Sequence, residues 1–216
     1  MKKVILLLAV LFATILTAQA QNASDLFSKS DTKIYWLGID FSHVKLIGDF
    51  TQFAEAGSVG AITIRDKYFT GWNDLILNES KKYDIVGMFR KPGINFNTNG
   101  ISLINATAET ESMEAETEPN YKKEDIQGFI KNYNFNVKEG IGLLFVAESL
   151  NKRSESGKYH FVAIHLATNE ILIHDVLIGK AGGIGLRNYW ARSYYEVINQ
   201  IRDQKYRVWK KMYSAK

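Results

Sequence analysis

The sequence predicts an α/β fold, in which helices pack on a mixed sheet of about five strands and a long helix ends the chain. An α+β arrangement is the alternative. Two observations carry this prediction. Segments with strand periodicity alternate with segments of helical periodicity, and residues 142–147 are apolar throughout, as expected of a strand covered on both faces.

The amino terminus has the pattern of a bacterial secretory signal peptide. Two lysines precede an apolar run over residues 4–16, and Ala18 and Ala20 supply the small residues before a cleavage site. The run is shorter than the stretch of about 20 apolar residues that a membrane span needs. We therefore expect a signal peptide over residues 1–20 and one α/β domain over residues 21–216, which lies in the periplasm or outside the cell and has no transmembrane span after cleavage.

The composition argues against several classes of function. Hydrophobic residues make up 46% of the 216 positions, which is enough for a globular core. The chain has 27 basic and 23 acidic residues, or 25 against 23 once the two signal lysines are removed, so nucleic acid is not an expected partner. The chain has no cysteine, which excludes disulfides and thiolate sites and argues against a lipoprotein tether.

The first half of the chain predicts strands and helices in alternation. Apolar side chains alternate over residues 33–41, which predicts a strand that continues through 44–47. Spacings of three and four then predict a helix that starts at 64 and could reach 82. A short strand is predicted at 101–104 and an amphipathic helix at 122–132.

An acidic segment lies between these last two elements. Residues 106–118 contain five glutamates and no basic residue. Such a run is typical of a solvated, mobile loop. The alternative is a contact with a cation or with a partner.

The second half predicts most of the sheet and the terminal helix. The apolar run at 142–147 is a strand, and segments 159–166 and 170–178 flank a short polar turn, which predicts a hairpin. A glycine-rich segment at 179–185 leads into a helix over about 188–212.

The order of elements and two fragments carry a resemblance. The predicted topology resembles the amino-terminal domain of TolB and the α/β core of curli-secretion-type envelope proteins. Residues 179–190 and 33–42 are similar to segments of uncharacterised exported proteins from Bacteroidetes. The resemblance implies the fold and an exported location, and it supplies no catalytic residues.

The glycine-rich segment is a candidate anion site, because a strand, a glycine turn and a helix start together can bind phosphate. A Walker loop does not fit, since Lys180 precedes the glycines, and the dinucleotide pattern lacks its third glycine at Asn188. The alternative is that the glycines only allow a tight turn and close helix packing. The candidate residues are Lys180, Gly182, Gly183, Gly185 and Arg187.

The histidines predict no metal site. His165 and His174 lie on paired strands, and they supply two ligands without a third. Asp40, Ser42 and His43 are too close together in one strand to converge as a hydrolase triad. We therefore predict no catalytic residue, no metal and no cofactor.

The terminal helix carries the most unusual surface. Its apolar stripe predicts packing, but basic and aromatic side chains are interleaved beyond Ile201. A helix of this length would overhang the sheet, so its end is a candidate surface for anionic lipid or an acidic partner. Packing on the acidic loop of the same chain is the alternative. The candidate residues are Arg207, Trp209, Lys210, Lys211 and Tyr213.

These features favour an exported, non-catalytic binding or assembly module of the bacterial cell envelope, whose partner is an envelope protein or an anionic surface. The alternative is a periplasmic or secreted enzyme that acts on an envelope or extracellular substrate. Polar side chains that converge in one pocket would favour the enzyme, whereas a flat apolar or basic patch would favour the module.

Overall fold

A computed structural model describes residues 22–28, 31–51, 53 and 59–214. The fold is α/β, with a mostly parallel sheet, packed helices and a long carboxyl-terminal helix, so the predicted fold class is confirmed. The predicted signal peptide, residues 1–20, lies outside the described residues.

Helices and strands alternate along the described chain. The strands are β1 (Ile34–Asp40), β2 (Lys45–Ile47), β3 (Asn95–Phe96), β4 (Glu114–Ala115), β5 (Ile141–Asn151), β6 (Ser156–His165) and β7 (Glu170–Lys180). The helices are α1 (Asp25–Ser28), α2 (Ala61–Thr63), α3 (Thr70–Asn78), α4 (Ile85–Met88), α5 (Asn99–Ala106), α6 (Lys123–Ile130), α7 (Leu186–Gln200) and α8 (Tyr206–Ser214). Two π-helical segments, Ile64–Phe69 and Ile201–Lys205, join α2 to α3 and α7 to α8, which makes two long continuous helices.

The sheet is about five strands wide, because short strands share positions end to end. β1 and β2 pair in parallel with the beginning and the end of β5, so that Ile34 lies opposite Ile141 and Ile47 opposite Asn151. β3 and β4 extend this side in parallel. On the other side β6 and β7 form the predicted hairpin, and β7 is the opposite edge within the described residues.

The core is divided between the two faces of the sheet, because side chains alternate along its central strands. On the first face, called face A, the two long helices bury side chains that include Trp72 and Trp190. On the second, called face B, α5 and α6 contribute Ile101 and Ile126, which pack with Leu144 of β5. Burying an apolar side chain of this size stabilises the fold by about 1.5–3 kcal/mol.

The predicted strand at 101–104 is wrong. These residues lie in α5, where Ile101 and Asn105 are buried and Leu103 is exposed, which is a helical spacing of four. Gly100 lets α5 pack close against another segment of the backbone, since a Cβ at this position would lie 2.8 Å from a backbone oxygen of that segment. A short apolar run does not by itself distinguish a strand from a buried helix.

The acidic segment at 106–118 contributes to the edge of the sheet. It contains β4, and Met113 beside that strand is only 1% exposed. The carbonyl of Met113 accepts a hydrogen bond from the backbone of Leu46 at 2.8 Å, and Arg153 forms an ion pair with Glu116. The charge of the acidic segment predicts a solvated loop, but part of the segment pairs with the outer edge of β2 and so belongs to the sheet.

Two asparagines complete the edge of β1 beyond β3. Asn73 Oδ1 accepts from Ile39 N at 2.7 Å, and Asn105 Oδ1 accepts from Phe41 N at 2.7 Å. Both amide groups also donate to the carbonyl of Ile39. Gly38, at φ +113°, permits this approach, because a Cβ there would lie 2.7 Å from the Asn73 oxygen.

Candidate functional site

Charged and titratable side chains are buried on face B where β5, β6 and β7 meet. Glu148 and His160 are fully buried. Lys158 Nζ donates to Glu148 Oε1 at 2.8 Å, and His160 Nε2 lies 2.6 Å from Glu148 Oε2. His160 Nδ1 lies 2.8 Å from His174 Nε2. These four residues are called the carboxylate–histidine chain.

The pairing of the strands brings the four side chains together. The pairing of β5 with β6 has a β-bulge at Glu148, which is left without an opposite residue. Lys158 and His160 share face B, because Tyr159 between them is part of the core on face A. His174 reaches His160 diagonally from β7.

The carboxylate of Glu148 orients the hydrogen bonds within the carboxylate–histidine chain. Burial alone would raise the pKa of Glu148, but the hydrogen bonds and charges of His160 and Lys158 outweigh it and hold the pKa below its usual range. An ionised carboxylate only accepts hydrogen bonds, so His160 donates to it from Nε2. When both imidazoles are neutral, His160 Nδ1 then accepts from His174 Nε2. This assignment from the network leaves His174 Nδ1 as an acceptor at the outer end of the chain.

One aromatic side chain lies near the inner part of the carboxylate–histidine chain, and a second packs beside it. The ring of Tyr121 lies 6.4 Å from the ring of His160, and its hydroxyl donates to the backbone oxygen of His43 at 3.1 Å. Phe129 stacks on the ring of His43 at 3.6 Å. The chain therefore reaches solvent at its two ends, the lysine, whose side chain is 20% exposed, and the outer, half-buried histidine.

Exposed apolar side chains lie along the edge of the sheet next to this outer histidine. Val176 and Ile178, which are 38% and 57% exposed, follow His174 along face B of β7. Val208 and Met212 of α8 are 53% and 57% exposed. These four apolar residues and the edge of β7 between them are called the β7 rim.

Asp175 fastens α8 against β7 on face A. Lys205 Nζ donates to Asp175 Oδ2 at 2.9 Å, and Trp209 Nε1 donates to the same oxygen at 3.0 Å. Residues three and four apart lie on the same side of a helix. Val208 and Met212 follow Lys205 and Trp209 by three residues, so they lie toward the side of the helix that Asp175 holds against β7.

The edge of β7 is only lightly protected along the rim. Val176 N donates to its neighbour Asp175 Oδ1 at 2.9 Å, and Gln200 Nε2 donates to the oxygen of Ile178 at 2.8 Å. Each of these two backbone groups is thus covered by a single hydrogen bond with a side chain. No further strand pairs with this edge in the part of the chain that the structure describes.

The helix that carries Val208 and Met212 also carries exposed basic side chains. Residues 200–214 contain five basic residues and one acidic residue. Asp203 is paired with Arg202, and Lys205 is paired with Asp175. The exposed basic side chains that remain are Arg207, Lys210 and Lys211.

Cavities open at the carboxyl ends of the parallel strands, where α/β proteins commonly bind ligands. One of about 610 Å³ is lined partly by Glu116 and Arg153, and one of about 350 Å³ partly by Lys45 and Ser112. These lining groups are bound to each other, Glu116 to Arg153 and Lys45 to Ser112. The cavities therefore present few free polar groups for a ligand.

Asp40, Ser42 and His43 lie beside the second cavity but do not act on one another as a triad would. Ser42 Oγ donates to Asp40 Oδ1 at 2.7 Å, and the Tyr133 hydroxyl donates to the other oxygen. Burial and the charge of Asp40 raise the pKa of Tyr133. The ring of His43 stacks on Phe129, and burial lowers its pKa.

The structure separates the residues of the predicted anion site. Lys180 is exposed and lines one cavity, whereas Gly182 and Gly183 line another. Arg187 points to a glutamate that follows α3, at 3.6 Å. The φ angles of Gly182, Gly183 and Gly185 are +156°, +119° and +77°. The turn therefore requires positive φ at these positions, which glycine adopts readily.

The predicted surface of the terminal helix is partly core. Trp209 is 3% exposed and stacks on Phe161 at 4.6 Å, and Tyr213 stacks on Phe27 at 6.3 Å. The predicted aromatic overhang is therefore wrong for Trp209, because α1, α4 and β6 extend under the helix end. The basic members of that surface are exposed, and they are Arg207, Lys210 and Lys211.

Sequence reasoning missed the carboxylate–histidine chain. The signal for it was Glu148, which directly follows the apolar run at 142–147 and therefore sits in a buried strand, where a carboxylate needs a partner. The pairing of His160 with His174 depends on the register of β6 and β7, which the sequence does not specify.

Three further observations concern a metal site, a membrane-spanning helix and similarity to known proteins. Among the described residues, no group of three His, Asp or Glu side chains is arranged to hold a metal ion. Nor does this part of the chain contain a helix with the length and hydropathy to cross a membrane. Comparison with protein-family models, with curated proteins and with solved structures finds no match.

Proposed function

We propose that this protein is an exported, non-catalytic binding module of the bacterial cell envelope, and that it docks an acidic, partly apolar segment of an envelope protein along the β7 rim. The observation that carries the proposal is an open strand edge flanked on both faces by exposed apolar side chains. Folded proteins usually cover or charge such an edge, because it offers unpaired backbone groups to other chains.

An extended segment fits this surface better than a small molecule. It would add as a further strand beside β7 and exchange two side-chain hydrogen bonds for backbone hydrogen bonds. Alternate side chains of the added strand would cover Val176 and Ile178 on face B, and Val208 and Met212 on face A. Main-chain bonds would supply affinity, and these four contacts would supply specificity.

The exposed charge of α8 favours an acidic partner. Arg207, Lys210 and Lys211 are exposed, whereas the nearby acids Asp175 and Asp203 already have basic partners. Complementary charge speeds association and discriminates against basic segments. An exported location is supported by the pattern of residues 1–20.

Binding is favoured over catalysis because the candidate catalytic side chains, among the residues that the structure describes, are engaged with one another. Glu148 and His160 are fully buried and bound to each other, and Ser42 donates to the carboxylate of Asp40 and not to a histidine. A catalytic group must be within hydrogen-bond reach of its substrate.

The test uses a synthetic peptide that repeats valine–valine–glutamate–glutamate, called the valine–glutamate peptide, so that each face of the added strand carries both kinds of side chain. The same repeat with lysine in place of glutamate, the valine–lysine peptide, is its counterpart. Calorimetry should show binding of the acidic peptide, with a Kd below about 1 mM. Ile178→Glu should weaken this binding at least about tenfold, because it removes an apolar contact and adds repulsion. Leu103→Glu is the matched control, since Leu103 is a 69% exposed side chain on α5.

The control variant should bind like the parent protein. Equal binding of the basic peptide, no binding of the acidic one, or equal losses in Ile178→Glu and Leu103→Glu would contradict docking on the rim.

A further inference from the structure

We infer that the carboxylate–histidine chain makes docking on the β7 rim dependent on pH, with a proton gained at His174 strengthening the binding of an acidic segment as pH falls. This inference rests on the proposed function, since it concerns the same surface. It assigns a role to the buried Glu148 and His160, which the docking contacts themselves do not use.

The hydrogen-bond geometry favours the outer end of the carboxylate–histidine chain as the place where an added proton binds. Glu148 holds the proton on His160 Nε2, and the contact of 2.8 Å between the two imidazoles has room for one proton. Among the described residues, no hydrogen bond reaches His174 Nδ1. The next proton therefore binds there, which gives the pair of imidazoles one positive charge and an N–H group at its outer end.

The position of His174 links this proton to the rim. His174 and Val176 are two residues apart on β7 and both point to face B, so the charge appears beside the apolar surface. A carboxylate of a docked segment next to Val176 would pair with it. The new charge adds to the exposed Arg207, Lys210 and Lys211 on the other side of the edge.

Other charged groups around His174 set the pH range. Burial, His160 and Lys123 lower the pKa of His174, and Asp175 and Glu124 oppose them. The free protein therefore gains this proton below the ordinary histidine pKa of about 6.5. The groups that face the pair from the surrounding elements are Glu148 on β5, Lys158 on β6, Asp175 on β7, Lys123 and Glu124 on α6, and Tyr121 before α6.

Linkage gives the size and the sign of the effect. If a docked carboxylate raises the pKa of His174 by about one unit, the affinity rises by up to about tenfold between the two pH limits. Binding is weaker above the pKa of the complex, where His174 is neutral in both states. Binding is stronger below the pKa of the free protein, where the added proton is present both in the free protein and in the complex.

The experiment measures the affinity of the valine–glutamate peptide at pH 8.0 and pH 5.5, where its glutamates remain mostly ionised. The parent protein should bind about three- to tenfold more tightly at pH 5.5. His174→Gln should keep the affinity seen at pH 8.0 and lose the dependence on pH. His165→Gln is the control, since His165 lies on the same hairpin at the other end of β6, and it should behave as the parent protein does.

Nuclear magnetic resonance titration of the parent protein provides a second readout that needs no variant. The imidazole of His174 should titrate, with a pKa that rises when the peptide is bound. Binding at pH 8.0 with no change at pH 5.5, or a pH dependence that persists in His174→Gln, would overturn the inference and leave docking intact. Absence of binding at both pH values would overturn docking and the inference with it.

Discussion

Glu148→Gln offers the sharpest test of the buried chain, because it removes a charge and keeps the shape of the side chain. Glu148 is fully buried and accepts two charge-assisted hydrogen bonds, from Lys158 at 2.8 Å and His160 at 2.6 Å. A glutamine has one acceptor oxygen, so its amide group must face one of the two donors. One charge-assisted bond is lost and a donor is left opposed, which costs about 3 kcal/mol.

The cost lies at the lower end of the range for broken buried pairs, since Lys158 is 20% exposed and can turn to water. Urea unfolding followed by tryptophan fluorescence measures it. With a slope of about 2 kcal/mol per molar urea, the midpoint should fall by about 1.5 M. Glu116→Gln is the control, because its ion pair with Arg153 is exposed, and its midpoint should not move.

The dependence on pH provides a second check on Glu148. Its pKa is lowered in the folded protein, so the stability it contributes is present above the unfolded pKa of about 4.3 and is lost as pH falls through the folded pKa. Glu148→Gln should remove that part of the acid dependence. A loss of stability under about 1 kcal/mol at pH 7, equal to that of the control, would refute the account of an ionised, paired carboxylate.

Four further predictions concern other parts of the chain. Trp209→Ala should cost about 3–5 kcal/mol in chemical unfolding, whereas an overhanging side chain would cost almost nothing. Met113→Ala should cost about 2–5 kcal/mol by the same measurement, and a neutral result would show that the acidic segment is not packed. Reversing Lys210 and Lys211 together to Glu should leave the melting temperature unchanged and weaken binding of the valine–glutamate peptide; unfolding would contradict this. Amino-terminal sequencing of exported protein should begin at Gln21, and retention of the preceding residues would contradict cleavage.

The sequence predicted the elements whose signal is local. The apolar run at 142–147 identified β5 as a central strand, because a strand covered on both faces is apolar at consecutive positions. The polar turn between 159–166 and 170–178 identified the hairpin of β6 and β7. The long stripe of apolar side chains identified the terminal helix, which the structure places at 186–214.

The elements that were misread depend on distant contacts. Residues 101–104 are too few for periodicity to separate helix from strand, and the choice depends on Asn105, which hydrogen-bonds to the edge of β1. Trp209 is core because Phe89, directly after α4, stacks on it, and Phe27 of α1 packs on Tyr206 of the same helix. Nothing near Trp209 in the sequence shows these contacts.

The candidate site was largely beyond sequence reasoning for the same reason. Glu148, His160 and His174 come together through a β-bulge and a strand register, and both are set by packing across the whole sheet. The exposed basic residues of α8 were predicted correctly, because a charge on the polar side of an amphipathic helix is a local property. The position of the helix against β7 was not predictable, since it depends on Asp175 binding Lys205 and Trp209.

Amide hydrogen exchange of β7 with and without the valine–glutamate peptide tests the central claim most directly. The account predicts that the backbone N–H of Ile178, on the open edge, is slowed when the peptide is present, together with the N–H groups of neighbouring outward-facing residues of β7. The exchange of α5 around Leu103 should not change. Unchanged exchange along β7 at saturating peptide, or protection confined to another surface, would contradict docking on the β7 rim.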